Sequence, residues 1–169
     1  MSPTDAASPV ASPDALSAAL PDLEMASAAL GIALTEREIR HDLSQAFEGA
    51  DFAAIDTGVV GLYRGLTQDT FAIIDVAHFR DVDTARAFLA SASPSDSASS
   101  PDRQEIDLSG IGDEAFGLVR PDTEDTRLTT GIVYLRVGLI VSALVVRSDT
   151  PGVDIGMREL AQLVVDSIT

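Results

Sequence analysis

Only two residues of this sequence, His41 and His78, carry an imidazole, and there is no cysteine to accompany them. That removes disulfides, thiolate metal sites, a cysteine nucleophile and cysteine-ligated iron–sulfur clusters. Two imidazoles are too few for a three-histidine zinc site, and a triad would require one of them to meet a nucleophile and a carboxylate. His78 lies in the apolar run Phe71 to Arg80, where strand alternation sets Asp75 and His78 on opposite faces. The spacing therefore predicts a structural histidine near a strand end. The acidic cluster Asp122, Glu124 and Asp125 lacks the spacing of a calcium loop. No nucleophile elbow, phosphate loop, dinucleotide glycine fingerprint or zinc-protease motif occurs. Catalytic residues, metal ligands and cofactors are accordingly expected to be none, and an enzyme is not predicted.

The residues left for chemistry are arginines and tyrosines. All 11 basic residues are Arg, against 27 acidic ones, for a net charge of −16. That balance disfavours non-specific binding of nucleic acid, since a phosphate backbone is bound by neutralising it, and no nucleic acid is expected as a partner. An anionic or amphiphilic ligand would have to find one of few cations. Tyr134 and Arg136 share a strand face by the period-two rule, and Tyr63 and Arg64 lie in a second hairpin. The planar fork of Arg suits carboxylate or phosphate, and Tyr offers an apolar body with a polar tip. Tyr63, Arg64, Tyr134 and Arg136 are the candidate ligand-binding residues. The alternative is that Arg136 ends its strand at the surface while Tyr134 fills core.

The elements that must position them follow from patterning along 169 residues. Residues 1–13, with three Pro and three Ser, read as a flexible tail, and residues 14–169 as one domain. A short helix starts at Ser12-Pro13-Asp14 and stops at Pro21; a second runs from Asp22 to Leu30 and ends at Gly31. Thr35 to Glu38 fits a capping box, and Ile39, Leu43, Ala46 and Phe47 form an apolar stripe, which predicts a helix over 35–47 with His41 facing solvent. Val59 to Leu66 and Phe71 to Arg80 read as a hairpin, followed by a helix capped by Asp81 or Asp83 and ending near Ala92. The stretch 91–102 holds six Ser and two Pro and reads as a mobile loop.

Beyond that loop come short strands near Gln104 to Leu108 and at Glu114 to Val119. Longer ones follow at Arg127 to Val137 and Leu139 to Arg147, then a helix that Asp154 can cap. The order predicts an α+β fold with a largely antiparallel sheet of about five or six strands and flanking helices. The longest apolar stretch, Val137 to Val146, covers ten positions, too few to span a membrane. An internal echo aligns 61–70 with 117–126 at six identities in ten, which fits either an ancestral pseudo-repeat or shared turn chemistry. The last two strands are apolar on both faces. One side of the sheet therefore needs a partner, a lipid-like ligand or the remaining helices.

Ile111-Gly112-Asp113-Glu114-Ala115-Phe116, then Tyr134-Leu135-Arg136-Val137-Gly138-Leu139-Ile140-Val141, then an amphipathic C-terminal helix resemble a recurrent pattern. It is the G-D-E-A turn plus R-x-G hairpin of small extracytoplasmic lipoproteins and sensor-type ectodomains of high-GC Gram-positive bacteria. Tyr63-Arg64, Val76-Ala77-His78-Phe79 and Ala85-Arg86-Ala87-Phe88 are similar to the first strand–helix unit of that family. The resemblance implies an antiparallel sheet with flanking helices, placed outside the membrane as a binding or sensing module, and supplies no catalytic residue. The sequence departs from the family in lacking a signal peptide and a lipidated Cys. Two functions are thus expected. One is a non-enzymatic extracytoplasmic binding or sensor domain, its leader removed; the other is a cytoplasmic interaction protein that forms a homodimer through an apolar sheet face.

Overall fold

A computed structural model describes residues 11–92, 102–121, 125 and 127–169. The expected tail over 1–10, most of the Ser-rich loop, and Asp122 and Glu124 lie outside them. Ser12 accepts the Ala15 amide and opens α1 (Pro13–Ser17), and Asp22 accepts the Met25 amide and opens α2 (Leu23–Leu30). Gly31, at φ 64°, ends α2 in the left-handed conformation that glycine adopts without strain.

The stretch expected to be a helix over 35–47 is instead an edge strand, β1 (Leu34–Arg40), followed by a short 3₁₀ turn at Gln45–Phe47. Its capping-box groups are engaged elsewhere. Thr35 Oγ1 donates to the carbonyl of Arg64 on the neighbouring strand, and Glu38 binds Arg40 at 2.8 Å. Pairing with β2 (Ile55–Gly65) supplies backbone partners that a solvent-exposed helix of this composition would have to find within itself. Five of the seven β1 side chains are charged or hydroxylic and lie exposed, which blunts the open edge. His41 is exposed as expected, but in the turn after β1.

β2 pairs with β3 (Phe71–Phe79), and α3 (Val82–Ala92) follows, its first turn held by Asp81, which accepts from the amide and hydroxyl of Thr84. Then come β4 (Gln104–Glu105), β5 (Glu114–Pro121), β6 (Thr129–Val137), β7 (Ile140–Ser148) and α4 (Val153–Ile168). The α4 cap is Gly152 at φ 82°, with no side-chain cap; Asp154 sits in the first turn. The seven strands form one antiparallel sheet, β1-β2-β3-β7-β6-β5-β4, so the α+β class stands and β1 is the additional strand.

Alternation along the strands gives the sheet two faces with different covers. On one, Val59, Tyr63, Ile74, Val76, Val133, Leu135, Leu144 and Val146 pack against Leu16, Leu30, Met157, Leu160 and Val164 from α1, α2 and α4. Gly156 makes the α2–α4 contact close, since a Cβ there would lie 2.9 Å from Leu30 Cα. On the other, Ala77, Phe79, Val141 and Ala143 pack under Ala85, Phe88 and Leu89 of α3 and under Phe47. The echo does not make two matching halves: α3 and α4, each following a hairpin, cover opposite faces.

Candidate functional site

The cross-strand register orders the α3 side of the sheet into rows. Gly58, Ala77, Val141, Arg136 and Glu114 make one row; Val60, Asp75, Ala143, Tyr134 and Phe116 make the next. Both lie beneath α3 and the 41–54 segment. Leu43 sits directly over Gly58, whose missing Cβ leaves it room. Phe47 stacks on Phe88 at 4.8 Å, and Tyr134 donates from its hydroxyl to Ala46 O at 3.1 Å. Asp75, fully buried, accepts from Ser44 N and Ser44 Oγ, both at 2.6 Å. Burial pushes its carboxyl above the ordinary aspartate range, the two Ser44 hydrogen bonds opposing.

Further along the same strands this cover stops. The third row is wholly apolar, Leu62, Ile73, Val145, Ile132 and Leu118, and all but Leu118 are partly exposed. With strands about 4.8 Å apart, it runs about 19 Å across the sheet. The fourth row is Arg64, Phe71, Arg147, Thr130 and Arg120. Over the β2–β3 part of these rows lies a hollow of about 450 Å³, bounded by Glu36, Leu62, Arg64, Leu66, Phe71 and Ile73. Leu66, on its rim, is 79% exposed. An apolar floor edged by guanidinium groups can take up an apolar ligand and orient a polar end.

The four expected binding residues are not brought together. Arg64 belongs to this open part and is exposed, its guanidinium 3.8 Å from Glu36. Tyr63, one residue earlier, points through to the helical face; it is fully buried, donates to Pro21 O at 2.6 Å, and has its phenol pushed up in pKa by burial. The register thus leaves it only backbone to offer a ligand. Tyr134 and Arg136 do share a face, but the covered one. Arg136 is buried, its Nη1 donating to Asp113 at 3.1 Å and to Gly138 O at 2.8 Å and its Nη2 to Glu114 at 3.0 Å.

That contact set gives the G-D-E-A and R-x-G pattern its physical meaning. Asp113 also accepts the Gly138 amide, and the Asp113 amide donates to Arg136 O, both at 2.8 Å. At Gly112, φ 62° and a carbonyl 2.7 Å from where a Cβ would be both require glycine. Glu114, with its carboxyl held below the ordinary range by Arg136, also binds Arg86 on α3 at 3.0 Å. The motif is a clasp that ties the β4–β5 turn to the β6–β7 turn and to α3. Arg136 is thereby occupied, neither free for a ligand nor at the surface.

Sequence reasoning missed Leu118, Arg120, Ile132, Val145 and Arg147 as parts of one surface. The signal for two of them was present in the echo. Gly61-Leu62-Tyr63-Arg64 on β2 and Gly117-Leu118-Val119-Arg120 on β5 run in the same direction and occupy the same rows, Leu62 with Leu118 and Arg64 with Arg120. His78 is buried on the face opposite Asp75, as alternation predicts, with Nδ1 3.4 Å from Asp56. Among the described residues, no group of three or more His, Asp or Glu could hold a metal, and no helix is long and apolar enough to cross a membrane.

No family model and no curated protein matches this sequence. Among solved structures, the fold is similar to that in the crystal structure of the extracellular domain of PknH from Mycobacterium tuberculosis, with a TM-score of 0.65. The match covers 96% of this chain and 98% of that one at 14% identity, a likeness of fold alone.

Proposed function

We propose that this chain is a non-enzymatic, extracytoplasmic binding domain of the sensor type, and that the open half of its α3-side sheet face takes the ligand. The observation that carries the reading is the apolar row Leu62–Ile73–Val145–Ile132, partly exposed up to the buried Leu118 and lying beside two rows under cover. Contiguous apolar surface of this kind on a soluble domain marks a place of interaction. The fold likeness to a domain described as extracellular, and the clasp motif that resembles the pattern of envelope lipoproteins and ectodomains, support a location outside the membrane. Of the candidate residues, Arg64 is kept as a ligand contact.

The test is binding of a neutral, environment-sensitive apolar dye to the protein and to Ile73→Glu, with Ile155→Glu on the exposed part of α4 as control. The native protein and the control should enhance its emission, and Ile73→Glu should lose most of the enhancement. Equal enhancement in all three would overturn the reading. Sedimentation of the same proteins tests the homodimer. A monomer is expected, and a dimer lost on Ile73→Glu would instead assign the face to a second copy. An alkaline phosphatase fusion to the natural gene, active only if exported, tests the location.

A further inference from the structure

The apolar row explains why something binds; the row beside it bears on what. Arg64, Arg147 and Arg120 stand on strands β2, β7 and β5 in one cross-strand line, about 10 Å from one to the next, with Phe71 and Thr130 between them. Arg64 and Arg120 are exposed, and Arg147 is half-buried within electrostatic reach of Asp125. In a chain of 11 arginines and 27 acids, three of the arginines stand in line along the edge of an apolar strip. Among the described residues, the acid within ion-pair distance of Arg64 is Glu36, at 3.8 Å, and both side chains are more than 60% exposed. A pair so long and so solvated holds together weakly, so a ligand oxygen can replace the carboxylate.

We propose, resting on the binding reading above, that the ligand is an anionic amphiphile. Its apolar chain lies across the partly exposed Leu62–Ile73–Val145–Ile132 row and its carboxylate or phosphate head is held by the exposed Arg64 and Arg120 of the arginine row. Arg gives a planar head group two parallel hydrogen bonds, and Phe71 at the boundary packs against the first methylenes of the chain. The echo fits this arrangement. The same Leu-x-Arg spacing closes both sides of the strip, with Leu62 and Arg64 on β2 and Leu118 and Arg120 on β5.

Calorimetric titration with four twelve-carbon amphiphiles below their micelle concentrations tests it: laurate, dodecyl phosphate, neutral dodecyl maltoside and cationic dodecyltrimethylammonium. A protein of net charge −16 that adsorbed amphiphiles without a site would favour the cation. The expected order is the reverse, with the two anions bound about tenfold more tightly than the neutral compound and the cation weakest. In the double variant Arg64→Gln/Arg120→Gln the anions should fall to the level of the neutral compound, which should itself be unmoved. Anionic and neutral amphiphiles binding equally to the native protein would overturn the proposal while leaving the binding reading intact. No binding by any of the four would sink both. Laurate against dodecyl phosphate separates a carboxylate from a phosphate head, and inorganic phosphate alone should not compete. If it competes as well as dodecyl phosphate, the site takes the anion and not the amphiphile. Should the double variant misfold by circular dichroism, the anion-to-neutral ratio of the native protein and its loss in high salt decide the matter unaided.

Discussion

On the α3 side of the sheet, the rows led by Gly58 and Val60 lie beneath α3 and the 41–54 segment, whereas the two rows beyond them on the same strands do not. The covered rows mix polar groups into the core, and each is tied down: Asp75 by Ser44, Tyr134 by Ala46 O, Arg136 by Asp113, Glu114 and Gly138 O. The open rows sort their groups instead, an apolar line and a line bearing three arginines. Buried polar groups are costly to leave unpartnered, so these side chains of the covered rows are held by short-range hydrogen bonds, Arg136 Nε excepted. On the proposed reading, the open apolar row and the solvated Arg64–Glu36 pair are what a ligand would engage. The first kind of region should respond to mutation in stability and the second in binding.

The sharpest break in that contrast comes from Phe47 against Ile73. Phe47 is fully buried and stacked on Phe88, so Phe47→Ala should cost about 3–5 kcal/mol and lower the melting temperature by on the order of 10 °C. Ile73→Ala, in the open apolar row, should cost about 1 kcal/mol or less. Thermal denaturation of the two variants checks this. Similar losses would mean that the open row is core and that the two regions do not differ in kind.

Next in size is the clasp. Arg136→Met removes the cation that Asp113 and Glu114 hold and leaves the Gly138 carbonyl without its donor, and should cost about 3 kcal/mol. Because Glu114 keeps Arg86 at 3.0 Å, α3 should stay docked, so the loss belongs to the turns. Hydrogen exchange should rise around Gly112 and Gly138 and remain slow in α3. Uniform acceleration, or lost binding of an apolar dye in a folded Arg136→Met, would show that the clasp and the open rows are one unit.

The sequence makes some of this contrast legible, and the reasons are local. Ser12, Asp22 and Asp81 cap helices as their spacing predicts, and the β2–β3 and β6–β7 hairpins are evident from apolar runs on either side of a polar turn at 67–69 and of Gly138. The helix predicted over 35–47 does not form because its stripe and capping box are local signals, while β1 is made by pairing with a strand some 25 residues away. Period two rightly puts Tyr134 and Arg136 on one face. Nothing in their own strand says that this face is roofed at their end, because the roof comes from Phe47 and Phe88. Arg64 and Arg120 become neighbours of a common strip only through the register of five strands, which no window of sequence contains. The echo holds half of that information, but equal rows on parallel-running strands are visible only once the sheet order is known.

The smallest effect is a pH dependence confined to the covered half. Asp75 is fully buried, and its carboxyl lies above its ordinary value of 3.8 because burial penalises the charge more than the Ser44 hydrogen bonds favour it; Asp42 adds repulsion. A carboxyl whose folded value is raised holds its proton more tightly in the native state than in the unfolded one. Its contribution to stability is therefore fully present below the unfolded value and is lost as pH rises through the folded value. Asp75→Asn freezes the group in a neutral form that can still accept the Ser44 amide through its oxygen and donate to Ser44 Oγ through its nitrogen, at a cost or gain of about 1 kcal/mol. The native protein, measured relative to Asp75→Asn, should lose stability as pH is raised from below 3.8 into the neutral range, and then change no further. Urea denaturation of both proteins across that range reads the difference, in which the other carboxylates cancel. A difference that grows in favour of the native protein as pH rises would mean that the Ser44 bonds outweigh burial. The 41–54 roof would then be held by a charge, and the covered rows would owe their locks to ionisation rather than to neutral hydrogen bonding.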